Sequence, residues 1–208
     1  MTEQPRYILV VEDIPNILDL IETTLKFKGG YRVVTARNGL EALDAIHKER
    51  PALVITDILM PQMDGFSLVH QLRLDPLTRN IPVIFLSATY IAPEDKSFAV
   101  LVGATRFLEK PIEIDQLMDT ISELLSQTSP LAPEPLKELE FYEGYRKRLK
   151  IKIEQKNKQI ARLERLLPTI SDDEKSTFSS SLHTSINERD EIQRQLDQVN
   201  ERLAASSG

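Results

Sequence analysis

Residues 52–66 read ALVITDILMPQMDGF. The run Ala52–Thr56 is apolar or β-branched throughout and stops at an acid, Asp57; a loop with Pro61 and Asp64 follows, and Gly65–Leu74 then resumes with helical spacing. A run this short and apolar at every position fits a strand buried on both faces, as in a parallel sheet. The same unit recurs on either side. Tyr7–Val11, Tyr31–Thr35, Pro82–Leu86 and Ala104–Phe107 read as further strands, bounded by Gly, Pro, Asp or Asn. Ile14–Lys28, Gly39–Lys48, Pro93–Val102 and Ile114–Ser126 read as amphipathic helices, with Ile17, Leu18, Ile21 and Leu25 marking the apolar face of the first. Five strand–helix repeats predict a doubly wound parallel sheet with helices on both faces.

Composition narrows the function classes. The 208 residues are 41% hydrophobic and 28% charged, the range of ordinary globular proteins. No apolar run has the roughly 20 residues needed to cross a bilayer, and MTEQPRYILVVED is interrupted by acids where a secretion signal would be apolar. A cytoplasmic protein without membrane contact is expected. Without cysteine there is no thiolate nucleophile or cysteine-bound zinc, and the three histidines are scattered. The net charge of −6 is unevenly shared: residues 1–128 hold 12 basic and 18 acidic residues, and residues 129–208 hold 14 of each. Between them SQTSPLAPEP, residues 126–135, has three prolines and no periodicity. The expected organisation is an α/β domain over 1–128, a linker over 129–135 and a helical module over 136–208.

In a doubly wound sheet, ligands bind beyond the carboxyl ends of the strands, where chain order reverses. Four of the five predicted strands end in polar groups: Glu12-Asp13, Asp57, Ser87-Ala88-Thr89 and Lys110-Pro111. Three converging carboxylates repel unless a cation holds them, and an all-oxygen site with room for a phosphate suits Mg²⁺ better than Ca²⁺. Ser87 and Lys110 add a donor and a positive charge, the equipment for stabilising a phosphoryl group transferred to a carboxylate. Singly these residues have plainer roles. Asp13 is also placed to cap the next helix, and a lysine before proline is commonly solvated. The first loop, VEDIPN, has no glycine and does not suit a nucleotide phosphate cradle.

Glu12-Asp13, Asp57 within TDILMPQMDGF, Ser87-Ala88 and Phe107 followed by Lys110-Pro111 together resemble the receiver domain of bacterial two-component response regulators, over about residues 5–126. The resemblance implies a flavodoxin-like (βα)5 fold and Asp57 as acceptor of a phosphoryl group from a sensor histidine kinase or phosphotransfer protein. It implies Mg²⁺ held by Glu12, Asp13, Asp57 and the Leu59 carbonyl, with Ser87 and Lys110 on the phosphoryl oxygens. Such a protein catalyses its own phosphotransfer and dephosphorylation and is not otherwise an enzyme. The Lys110–Pro111 bond is typically cis in the family, and Ser87 and Phe107 would form the switch. Phe107 stands where many members have tyrosine, so its inward state would rest on packing alone. Leu59 and Thr89 flank the water path of receivers; Leu59 cannot orient a water, which implies slow self-dephosphorylation.

Beyond the linker, Leu139, Tyr142, Leu149, Ile153, Ile160, Leu163 and Leu167 fall on heptad positions interrupted by Arg146 and Lys156. Pro168 ends that helix, and Ser171 with Glu174 forms a capping-box signal for another. Phe178, Leu182, Ile192, Leu196, Val199 and Leu203 continue the stripe, interrupted by Ser185 and Arg189. A break of three or four residues between helices predicts an antiparallel hairpin. Charge agrees: residues 136–167 carry net +5 and residues 168–208 net −4. Two helices have little core of their own, so a second copy completing a four-helix bundle, hence a homodimer, or an unknown protein target is expected. Two alternatives stand beside it. The basic helix 146–165 is a candidate for nucleic acid, though it has no stacking aromatics in RKRLKIKIEQKNK. His183 is a candidate phosphate shuttle, although the position after it is Thr184 where many kinase dimerisation helices carry an acid.

Overall fold

The computed structural model describes residues 7–87, 93–126 and 134–205; Ala88, Thr89 and most of the predicted linker lie outside them. The chain divides into two units, Met1–Leu136 and Lys137–Gly208.

In the first unit the strands are β1 (Ile8–Val11), β2 (Val33–Ala36), β3 (Leu53–Asp57), β4 (Val83–Ser87) and β5 (Arg106–Glu109). They alternate with α1 (Pro15–Gly29), α2 (Gly39–Lys48), α3 (Gly65–Leu74), α4 (Pro93–Val102) and α5 (Ile114–Ser126). All strand pairs are parallel, in the order β2-β1-β3-β4-β5. Every residue of β1, β3 and β4 is buried, as their unbroken apolar runs required. Because side chains alternate across a strand, Ile8, Val10, Leu53, Ile55, Ile84, Leu86 and Leu108 share one face, where they pack with Leu18, Ile21 and Leu25 of α1 and Leu117, Ile121 and Leu124 of α5. Phe85 points to the opposite face. The Phe66 ring of α3 stands edge-on to it at 5.2 Å and to Phe98 of α4 at 5.1 Å.

Two strands begin later than their hydrophobicity suggested, each because of the turn before it. At the end of α1, Gly30 takes φ 64°, a left-handed conformation, and the amides of Gly30 and Tyr31 return to the carbonyls of Lys26 and Leu25. Tyr31 is thereby used to close the helix and packs on the core, so β2 starts at Val33. After α4, Gly103 takes φ 102° and the Ala104 amide bonds to Ala99, so β5 starts at Arg106.

The second unit is two helices, α6 (Glu138–Leu166) and α7 (Asp172–Ala205), which run antiparallel. The Arg202 guanidinium lies 5.6 Å from the Tyr142 ring centroid, the Tyr145 hydroxyl donates to Gln195 Oε1 at 3.5 Å, and Lys156 pairs with Glu188. Continued at heptad spacing, the register set by these three contacts brings to the same level Tyr142 and Leu203, Arg146 and Val199, Leu149 and Leu196, Ile153 and Ile192, Lys156 and Arg189, Ile160 and Ser185, Leu163 and Leu182, and Leu167 and Phe178. Ile192, Leu196, Val199 and Leu203 are buried, whereas Leu163, Leu167, Phe178 and Leu182 are half-buried. Two expectations need correction. Leu139 is 49% exposed and off the seam; a stripe of Phe141, Tyr145 and Arg148, not foreseen, is buried instead. The break between helices is Leu167–Ser171, five residues, because Leu167 keeps helical dihedrals and Thr169 folds its amide and hydroxyl back onto the Leu166 carbonyl. The Glu174 side chain of the expected capping box lies outside the described residues. His183 is exposed on α7. No helix among the described residues is long and apolar enough to cross a membrane.

Candidate functional site

Chain order reverses between β1 and β3, which are neighbours in the sheet. At their carboxyl ends stand Glu12 and Asp57, and the chain leaving β5 brings in Lys110. The Lys110 amide bonds to the Ser87 carbonyl at 2.6 Å, which extends the β4–β5 pairing one step past the strand and directs the lysine over the sheet edge. The Lys110–Pro111 bond is cis. Lys110 Nζ donates to Asp57 Oδ1 at 2.6 Å and to Glu12 Oε2 at 2.7 Å. Little of this is solvated: the exposed fractions of the side chains are 16% for Lys110, 11% for Asp57 and zero for Glu12.

The backbone around Asp57 is equally constrained. Asp57 Oδ2 accepts from the Leu59 amide at 2.9 Å, and its carbonyl accepts from the Thr56 hydroxyl at 2.9 Å. Gly65 opens α3 directly against that carbonyl: a Cβ on Gly65 would lie 2.2 Å from Asp57 O. Its amide bonds to Ile58 O, and Asp64 caps α3 by accepting from the Ser67 amide at 2.8 Å. Thr56 and Gly65 were absent from the sequence reading as site residues. Gly65 had a signal, a glycine straight after a loop aspartate, but the demand for no Cβ appears only once the loop is folded.

The electrostatics follow from burial. Glu12 is pushed above the usual carboxylate range by burial and then by Asp57, with Lys110 pulling the other way. Asp13, half-buried, is raised by burial and by Asp57. Burial pulls the Lys110 ammonium down, but Asp57 and Glu12 outweigh it and hold it above its ordinary value. The lysine is therefore a cation between two of the three carboxylates, and it supplies part of the neutralisation that the sequence reading assigned wholly to a divalent ion. Among the described residues no three acids are gathered into a metal-holding cluster. Two carboxylates remain in excess of the one ammonium, and their oxygens are the donors a hard ion such as Mg²⁺ takes. Asp13 does not cap α1. That position is Ile14, with no side-chain cap and Pro15 after it, and the Ile14 amide is met at 3.4 Å by Glu12 Oε1.

The remaining candidates lie nearby in the sheet. Ser87 ends β4 and is buried. Leu59 is 38% exposed beside Asp57. Phe107, half-buried on β5, lies under the Lys96 ammonium at 5.8 Å, and Lys96 is paired with Glu109. Thr89 lies outside the described residues.

Residues 8–122 match the model of the response regulator receiver domain. The chain belongs to that family. Its receiver is similar to Response regulator Rre1 of Synechocystis, 34% identical over 146 residues that make up 69% of this chain and 63% of that protein. It is also similar to Transcriptional regulatory protein GlrR of Escherichia coli, 36% identical over 66% of this chain and 30% of that protein. The match thus spans less than two thirds of these curated relatives. Among solved structures, the chemotaxis response regulator CheY4 of Vibrio cholerae superposes with a TM-score of 0.54 at 34% identity, covering 58% of this chain and 99% of that one. The receiver has the five-stranded flavodoxin-like fold, and two long helices follow it.

Proposed function

We propose that Asp57 is the phosphoacceptor of a two-component response regulator and that the α6–α7 hairpin is its output module. The observation that carries this reading is the Lys110 ammonium shared between Asp57 and Glu12 in a largely buried site. An Asp57 carboxylate oxygen attacks the phosphorus of a kinase phosphohistidine; the P–N bond breaks, an acyl phosphate forms, and the imidazole departs and takes up a proton. Lys110 lies within reach of the charge that develops, and the Ser87 hydroxyl offers a donor from the adjacent strand. Glu12, Asp13, Asp57 and the Leu59 carbonyl would hold Mg²⁺, which when bound supplies positive charge to the phosphoryl oxygens. Around Asp57 the chain's own groups already fix the carboxylate: Lys110 on one oxygen, the Leu59 amide on the other.

The switch we assign to Ser87 and Phe107. A hydroxyl drawn towards a phosphoryl group vacates space that an aromatic side chain on the next strand can enter, and Phe107 is only half-buried at present. The output we assign to protein–protein contact, with a homodimer as its first form. The half-buried apolar layers Leu163/Leu182 and Leu167/Phe178, with Leu166 36% exposed at the end of α6, leave apolar surface for a second copy to cover. Light scattering on the full chain, with Mg²⁺ and with or without beryllofluoride as an aspartyl-phosphate mimic, tests both parts. A dimer that forms or changes shape with the mimic supports the reading; a monomer indifferent to the mimic contradicts it.

A further inference from the structure

Helix α3 carries two buried polar side chains that the phosphoacceptor chemistry does not use. His70 is 2% exposed, and its Nε2 lies 3.0 Å from the carbonyl oxygen of Leu136. A carbonyl only accepts, so Nε2 carries the hydrogen. Leu136 is the last residue of the first unit, two positions before α6, in a stretch without regular structure. Three residues along the same face, Arg73 is also 2% exposed. Its Nε and Nη2 donate to Gly103 O at 3.1 and 2.7 Å, and its Nη1 donates to Arg79 O and Ile81 O at 2.9 and 3.0 Å. A Cβ on Gly103 would lie 2.8 Å from Arg73 Nε, so the turn after α4 sits directly on the guanidinium.

The first residue of the same helix is pressed on Asp57. With a Cβ-free contact at Gly65, a backbone bond from Gly65 to Ile58 and the Asp64 cap, the loop after β3 has no slack relative to α3. Close-packed elements of this kind move as units. We propose that α3 is the transmission arm of this protein: a backbone shift at Asp57–Leu59 moves α3, and His70, as a positioning residue, carries that movement to Leu136 and so to the segment leading into α6. Arg73 keeps the α4–β5 turn on the same arm. The inference rests on Asp57 being the phosphoacceptor.

Hydrogen–deuterium exchange of the full chain in Mg²⁺, with and without beryllofluoride, tests it. In the parent protein, beryllofluoride changes exchange in peptides over 57–65 and also over 134–141. In His70→Leu, which removes the donor, residues 134–141 exchange about tenfold faster without the mimic, the equivalent of one lost hydrogen bond, and no longer respond to it, while 57–65 still does. His70→Gln, whose amide can donate, regains part of the response. A parent protein that responds at 57–65 but not at 134–141 overturns the proposal without a variant, and so does a folded His70→Leu protein whose 134–141 response is intact. No response at 57–65 overturns the phosphoacceptor reading itself.

Discussion

Replacing Lys110 by methionine keeps the length and apolar stem of the side chain and removes the cation that bridges Asp57 and Glu12. At the observed 2.6 and 2.7 Å, each ion pair is worth roughly 6 kcal/mol at an effective dielectric of about 20, before the cost of desolvating the ammonium is subtracted. Breaking a buried pair from one side typically costs about 3–5 kcal/mol, because the other charge stays buried without compensation. Here two carboxylates are left facing each other, one of them fully buried. For a domain of this size the loss lowers the melting temperature of the receiver by about 10 °C or more. The assay is scanning calorimetry of the full chain in EDTA, reading the transition that Mg²⁺ shifts. Added Mg²⁺ recovers part of the loss, since a divalent ion supplies charge to the same oxygens. Lys96→Met is the internal control: its pair with Glu109 is 51% exposed on both sides and should cost about 1 kcal/mol or less. If Lys110→Met and Lys96→Met melt together in EDTA, the account of a buried, lysine-bridged carboxylate site is wrong.

Other outcomes follow from single features. Burial and then Glu49 push the Tyr7 phenol up to about 12 from an ordinary value of 10.0. Its stabilising effect is whole below pH 10 and falls as the pH rises from 10 to 12, because only the unfolded phenol ionises there, by up to about 3 kcal/mol; Tyr7→Phe should flatten urea-denaturation stability over that window. Arg73→Met leaves the carbonyls of Arg79, Ile81 and Gly103 without their donor and should cost about 3 kcal/mol or more by urea denaturation, whereas a near-neutral variant would deny the arginine its bracing role. The Lys156/Arg189 layer puts two cations at one level of the hairpin seam, so Lys156→Leu with Arg189→Leu should raise the hairpin's melting transition; a drop would show that the pairs with Glu188 and Asp190 stabilise more than they cost. Because Leu59 cannot orient a water, the acyl phosphate should outlast that of a Leu59→Asn variant in a time course of phosphoprotein decay, and equal lifetimes would dismiss the effect.

The sheet was legible because burial on both faces makes β1, β3 and β4 apolar up to their carboxyl ends, and because acids, a serine and a lysine then stand out where the strands stop. Strand edges were less so: whether Tyr31 and Ala104 belong to a strand depends on left-handed glycines at 30 and 103 that claim their amides for the preceding helix. The lysine bridge was half-visible. Lys110 was recognisable as a site residue, but its place between Asp57 and Glu12 depends on β5 lying beside β4 at the Ser87 register. His70 and Arg73 were not legible at all, because each serves a carbonyl 66 or 30 positions away and a helical pattern says nothing of distant backbone. In the hairpin, Leu139 fitted the heptad as well as Tyr142 did, and only the folded helix shows that Phe141 and Tyr145 are buried in its stead.

The central claim is that Asp57 takes the phosphoryl group. The direct measurement is intact-mass spectrometry after incubation with Mg²⁺ and acetyl phosphate, followed by peptide mapping of the modified chain and of Asp57→Asn. The account predicts a gain of one phosphoryl group that maps to Asp57, needs Mg²⁺ and vanishes in Asp57→Asn. A phosphoryl group that persists in that variant, or a parent chain that gains none, would contradict it.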